Sequence, residues 1–446
     1  MADIRIWTDQ SVSLSDGRPA GLPIFLPHKF PIMAGAAVPN STVKANIDTN
    51  KSYLFPLILV TSLFFLWGLA YGLLDVLNKH FQEVLNVTKS RSTLLQLSYF
   101  GAYFLMALPA GLFMNKYGYK RGIILGLLLY ATGAFLFYPA ASSLSFEGFL
   151  AALFILACGL ACLETAANPY VTVLGSTETS EQRLNLSQCF NGLGSFLGPI
   201  IGATLFFEGK ETAGAPKDLS TVQLTYIIIG VVVLLIAVFF YRTPLPEIKE
   251  EEQKGNESLA NTKPLFSHSH FVLGVIAQFF YVAAQVGVGA LFINYATEYW
   301  KGTSSKEASY LLSVGMILFL SGRFIGTAIM KKVAANKLLM LYAFINVLLC
   351  AVVMAGAGAL SVYALIAIFF FMSIMFPTIF ALGVKDLGIH TKQGASFQIM
   401  SIVGGAVVPF VMGLVADKQS TALAYGVPLV CFLVVFYYGG WGYKRE

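Results

Sequence analysis

Charge is what this chain has least of. Only 12% of its 446 residues are Asp, Glu, Lys or Arg, against about a quarter in a soluble globular chain. An ordinary water-soluble domain is therefore excluded. Basic clusters are missing too: the net charge is +6, but Lys and Arg sit singly in short polar stretches, so no nucleic-acid partner is expected. Cysteine is scarce. Cys158, Cys162, Cys189, Cys350 and Cys431 all fall in apolar segments, and the pair at 158 and 162 has no His or further Cys nearby to complete a metal site. The five histidines, His28, His80, His268, His270 and His390, lie in or near polar connections, and no His-Glu-x-x-His occurs; a polytopic metalloenzyme lacks its motif. No cofactor or metal is expected. Residues 1–50 show no signal-peptide core and are rich in Pro, Gly, Ser and Asp, which predicts a disordered cytoplasmic tail.

What fills the chain instead is hydrocarbon-compatible sequence: 57% hydrophobic residues, 37 of them phenylalanine, with 41 glycines besides and a mean hydropathy of +0.71. About 30 Å of hydrocarbon needs roughly 20 helical residues at 1.5 Å each. Such runs occur near 53–82, 91–116, 121–141, 148–174, 184–207 and 221–241, and again near 271–296, 308–331, 337–358, 361–384, 394–416 and 423–441. The only long polar insertion is "RTPLPEIKEEEQKGNESLANTKP", 242 to 264. The expected organisation is a tail (1–50), a six-helix bundle (51–241), a cytoplasmic linker (242–270) and a second six-helix bundle (271–446). If both termini share one side, that side holds 20 Lys and Arg and the other 8. The excess of basic residues makes the termini and linker cytoplasmic.

The halves look duplicated. "NPYVTVLG" precedes "SQCFNGLGSFLGP" in the first, and "FPTIFALG" precedes "SFQIMSIVGGAVVP" in the second. Pro169 then pairs with Pro377, Gln188 with Gln398 and Pro199 with Pro409. Parallel six-helix repeats are the build of major facilitator transporters. "GLFMNKYGYKRG", 111 to 122, resembles that superfamily's signature after the second helix, with Asn115 where an acid is usual; "GRFIGTAIMKK", 322 to 332, is its weaker counterpart.

Asp75, Glu164 and Arg323 lie well inside spans, where a charge costs roughly 3 kcal/mol on insertion scales and usually marks a substrate or ion pathway. Helical periodicity supplies their companions. Trp67, Tyr71, Asp75 and Asn78 form one stripe on the first span. Glu164 and Asn168 share a face of the fourth. Asn185, Gln188 and Asn191 mark the fifth, and Gln278, Tyr281 and Gln285 the seventh. Four such stripes could converge on one cavity. Amides donate and accept, carboxylates accept from hydroxyls, and aromatic faces cover the apolar side of a pyranose ring. The set suits a neutral, hydroxyl-rich solute. A carboxyl group in a low-dielectric site can also exchange a proton near neutral pH, which makes Asp75 and Glu164 the proton-coupling candidates. Each stripe has a plainer reading as well. Asn and Gln often join neighbouring helices, Trp67 and Tyr71 could be packing, and either acid could pair with Arg323. Arg323, near a helix end, is expected to brace the cytoplasmic gate.

"SLFFLWGLAYGLLDVLNKHF", "CLETAANPYVTVLG", "RLNLSQCFNGLG" and "MFPTIFALGVKDLG" together resemble the fucose–galactose–glucose:proton symporters, over about residues 53 to 440. The resemblance implies an all-α polytopic membrane protein of the major facilitator fold, with twelve transmembrane helices in two six-helix bundles. It further implies import of a neutral monosaccharide by proton symport, with the sugar bound between the halves. By that likeness Asp75 and Glu164 match the family's two functional acids, and Gln188 and Asn191 its sugar ligands. Two positions depart: the fucose permeases carry Asn where this chain has Gly72, and Tyr where it has Phe376. L-Fucose as the substrate therefore does not follow. The expected setting is the plasma membrane, the inner membrane in a bacterium, with lipid, a small sugar and protons as partners and a monomer as the working unit. A proton-driven drug exporter and a non-transporting sugar sensor on the same scaffold are the competing readings.

Overall fold

The computed structural model describes residues 44–45, 54–173, 180–207, 219–244, 248–249, 264–330, 332–387 and 390–444. Twelve helices in it are long and apolar enough to cross a bilayer. In the first half they are α1 (Phe55–Leu85), α2 (Lys89–Met114), α3 (Tyr119–Ser142), α4 (Phe146–Asn168), α5 (Leu186–Phe206) and α6 (Ser220–Arg242). In the second they are α7 (Ser269–Ala290), α8 (Ser305–Ile329), α9 (Ala335–Met354), α10 (Ala359–Val384), α11 (Ser396–Lys418) and α12 (Thr421–Gly442). Each expected span coincides with one of them. The expected tail and linker lie mostly outside the described residues. Their described parts meet, because Lys44–Ala45 pairs antiparallel with Ile248–Lys249.

Periodicity did not reveal where helices break. α7 ends at Ala290 and a separate helix, Phe292–Tyr299, follows. α10 is interrupted between Met372 and Met375. Backbone groups freed at membrane depth must find partners within the protein, and here they do. The Met372 carbonyl accepts from the Tyr281 hydroxyl at 3.0 Å. Pro377 has no N–H to give the carbonyl four residues back, which is Ser373; that carbonyl lies 3.4 Å from Nε of Arg323. At the end of α7 the Ala290 carbonyl accepts from Nδ2 of Asn78 at 2.7 Å.

A close helix seam joins α1 to α5. Gly68 and Gly72 meet Gly194 and Gly198, and both pairs have small-xxx-small spacing, which lets backbones approach. A Cβ added at Gly68 would lie 2.0 Å from the Asn191 carbonyl oxygen, and one at Gly72 would lie 2.6 Å from that of Ser195. The Ser195 carbonyl is the one Pro199 leaves without its helical donor. Gly72 is therefore a packing position in this seam, where a side chain would meet the α5 backbone. Replacing Gly68 with Val should force α1 and α5 apart and destabilise the bundle by about 1–3 kcal/mol. Thermal unfolding in detergent would read this as a lowered Tm. Gly111→Ala, where nothing lies within 4 Å of an added Cβ, should leave the Tm unchanged.

Candidate functional site

A cavity of about 1380 Å³, counting the solvent at its mouth, opens between the two halves. Its walls differ in chemistry. The first half contributes Glu164 from α4, Gln188, Asn191 and Ser195 from α5, and the aromatic residues Trp67, Tyr71, Tyr99 and Tyr103 from α1 and α2. The second half contributes mainly apolar side chains, among them Val282, Phe319, Phe369 and Phe376, with Gln285 and Arg323 as its polar members. A polar wall thus faces an apolar one.

Local geometry explains who points inward. Gln188, Asn191 and Ser195 recur at helical spacing, so one face of α5 carries all three. Asn191 also donates through Nδ2 to the Phe64 carbonyl at 3.3 Å, which fixes the amide beside α1. Glu164 lines the cavity, and no ion pair joins it or Asp75 to Arg323 among the described residues. Arg323 lies in the cavity wall with its guanidinium 5.1 Å from the Phe319 ring centroid. That arrangement suits a cation over an aromatic face.

Of the residues expected at the site, Trp67, Tyr71, Glu164, Gln188, Asn191, Gln285, Phe376 and Arg323 line the cavity. Five others do not. Asp75 and Asn78 lie farther along α1 and are buried, at 2% and 0% exposure. Tyr281 is taken by the break in α10. Asn168 and Gln278 are buried in the bundle, and Asn168 Oδ1 and both amide atoms of Gln278 lack hydrogen-bond partners. All four stripes do reach the cavity, through Trp67 and Tyr71, Glu164, Gln188 and Asn191, and Gln285, but those of the first, fourth and seventh spans do so only in part. Periodicity gives the face of a helix but not the depth at which a cavity ends. The side chains of Asn115 and Asn185 lie outside the described residues. Sequence reasoning missed α2: Gln96, Tyr99 and Tyr103 recur at helical spacing, and the last two line the cavity with hydroxyls lacking partners. The amide among the aromatic residues of "QLSYFGAY" was the available signal.

One end of the molecule is latched across the halves. The Asp417 carboxylate accepts the backbone N–H groups of Lys89 and Ser90, both at 2.9 Å. It thereby caps the first turn of α2 from the opposite half, where an anion complements the helix dipole. Lys89 Nζ reaches Glu298 at 2.6 Å and Thr421 at 2.7 Å. Gln82 lies within hydrogen-bond distance of Ser92 and Asn294, and Ser305 donates to Glu83. α1 reaches this latch because the helix carrying it has 32 residues, about 48 Å at 1.5 Å per residue.

Comparison with known proteins agrees with this build. The major facilitator superfamily model matches residues 60–409. A glucose/galactose transporter of Brucella abortus is 37% identical over 92% of this chain and 100% of its own length. The L-fucose-proton symporter of Escherichia coli is 39% identical over 88% and 94%. The chain belongs to the major facilitator superfamily, in its fucose–galactose–glucose:proton symporter family. The crystal structure of the E. coli fucose symporter FucP in the outward conformation aligns with a TM-score of 0.64 at 38% identity, covering 88% of this chain and 99% of that one. The inward open xylose transporter XylE of E. coli aligns at 0.70 with 11% identity over 89% and 97%, a likeness of fold alone.

The superfamily fold moves by rocking one bundle against the other, so the latch has a measurable role. Asp417→Ala removes both caps on α2, worth about 1 kcal/mol of the closed end. With the native cysteines replaced and a cysteine placed at Leu320 in the cavity wall, labelling by an impermeant thiol reagent applied from the latched end should quicken about fivefold.

Proposed function

We propose that this chain imports a neutral monosaccharide of the fucose, galactose and glucose class by proton symport with alternating access. The observation that carries the reading is the two-faced cavity. Amides and a carboxylate on one wall can meet the hydroxyl edge of a pyranose, while phenylalanines opposite cover its apolar face. A phosphorylated or carboxylated substrate would call for a cluster of cations, and among the described residues Arg323 is the only Lys or Arg in the lining. A flat hydrophobic drug would leave the α5 amides without partners, which disfavours an exporter.

Glu164 accepts from sugar hydroxyls and takes part in proton coupling in this reading, with Gln188, Asn191 and Gln285 as hydrogen-bonding partners and Trp67 and Phe376 as ring contacts. Tyr71, Tyr99 and Tyr103 add hydroxyls from α1 and α2. Asp75, beyond the cavity, carries the coupling proton. Arg323, beyond holding the α10 break, moves with the inner gate. Asn78 belongs to the latch and Tyr281 to the α10 break, while Asn168 and Gln278 support the walls from behind. The domain limits expected from the sequence, 51–241 and 271–446 with the linker between, are the rigid bodies that rock.

The positive excess on the linker side puts both termini in the cytoplasm, and the pairing of Lys44–Ala45 with Ile248–Lys249 supports the tail and linker sharing a side. The latched end is then outermost and the structure is the inward-facing state, in the inner membrane of a bacterium. The working unit in this reading is a monomer, and the chain is a transporter rather than an enzyme.

The decisive experiment is uptake by proteoliposomes of labelled neutral hexoses and 6-deoxyhexoses, with and without an inward proton gradient. Gradient-driven accumulation of one sugar is expected. Equal entry without accumulation would remove the coupling, and no entry by folded protein would favour the sugar sensor. Glu164→Gln should keep part of the sugar binding and lose accumulation; uptake equal to wild type at normal expression would overturn its role. Asp75→Asn should lose accumulation while sugar exchange between the two sides continues.

A further inference from the structure

The two halves touch at an acid the cavity does not reach. Asp75 Oδ1 is 3.3 Å from Nε2 of Gln96, while Oδ2 is buried without a hydrogen-bond partner. Facing Oδ2 from the other half is Gly289 of α7. A Cβ built there would fall 2.6 Å from Oδ2 and 3.3 Å from the carboxyl carbon, so α7 lies against this carboxyl group only because residue 289 has no side chain. The neighbouring α7 carbonyls are already engaged: Val288 accepts from the Tyr425 hydroxyl at 3.3 Å and Ala290 from Asn78 at 2.7 Å. Tyr71 from its own helix and Tyr425 from α12 are the titratable groups that sense Asp75. α2 presents the neutral amide of Gln96, and α7 presents glycine. No Lys, Arg or His is described in an ion pair or hydrogen bond with it.

A carboxylate closed into this place has one donor and an uncompensated second oxygen, which is costly at low dielectric. A neutral carboxyl group, which leaves only an O–H to be satisfied, costs far less. We propose that Gly289 is the positioning residue through which the proton on Asp75 controls closure of the latched end. When Asp75 is neutral, α7 settles on it and the halves close. When it is ionised, Gly289 offers no side-chain donor, its N–H belongs to the α7 helix, and closure is opposed. The proposal rests on Asp75 carrying the coupling proton.

Closure can be read without any sugar. Spin labels at Ser143→Cys and Lys301→Cys, exposed at the same end in opposite halves, are placed in protein lacking its native cysteines, and the distance between them is measured at acidic and alkaline pH. Wild type should populate the short distance at acidic pH and shift toward the long one as pH rises. Gly289→Ala should lower the closed-to-open ratio roughly tenfold or more at both. Adding Asp75→Ala to Gly289→Ala makes room for the methyl group and should restore the short distance at both. Wild-type distances in Gly289→Ala would overturn the contact, as would a double variant as open as the single one. If Gly289→Ala does not fold, the double variant and the wild-type pH series still decide. Closure insensitive to pH in a protein that accumulates sugar on a proton gradient would overturn this proposal alone. pH-dependent closure in a protein that moves no sugar would keep it and overturn the symport reading.

Discussion

Inside hydrocarbon a backbone carbonyl that loses its helical donor cannot turn to water, and much of this molecule is arranged around that constraint. Pro377 orphans the Ser373 carbonyl, and Arg323 reaches it. The break before Met375 exposes Met372, and Tyr281 reaches that. α7 stops at Ala290, and Asn78 arrives from the other half. Each repair draws two helices together beside the cavity or at the latch. Polar residues that a sequence reader assigns to a ligand are thereby divided between two tasks, and the broken helices decide the division.

The same constraint shapes the cavity's asymmetry. α5 packs so closely on α1, glycine against glycine, that its next face, with Gln188, Asn191 and Ser195, is held at a fixed depth. The opposite wall is built from α7, α8, α10 and α11 with mainly apolar side chains, and these can slide past a bound ring with no hydrogen bond to break. A rigid polar wall and an adaptable apolar one is a sensible division when the two halves must rock about the substrate.

Most of the architecture was legible because bilayer thickness imposes a length on every span, and each of the twelve could be counted. The charge bias of the loops and the repeated Gln-to-Pro spacing were equally plain. The site was legible in part. Trp67, Tyr71, Asp75 and Asn78 do share a stripe, but that stripe runs from the cavity into the latch, and periodicity carries no information about where one ends. Gln96, Tyr99 and Tyr103 escaped notice because tyrosine in an apolar helix reads as packing until a cavity is seen beside it. The packing role of Gly72, where an added Cβ would meet the α5 backbone, was not visible in the sequence. Seam partners lie more than a hundred residues apart, and no local pattern announces them.

The side-chain bonds of the latch are polar: carboxylate to backbone N–H, amide to carbonyl, ammonium to carboxylate. When the halves part at that end, water can take the place of each lost partner, so the net cost of exchanging one bond is small, about 1 kcal/mol. An equally large apolar seal would leave its surface facing water and hold one state firmly. The polar seam instead keeps the two states close in free energy, and a ligand can invert their populations only when the gap is a few kcal/mol. The chemistry of the seam is thus what allows something as small as one proton and one sugar to turn the machine over.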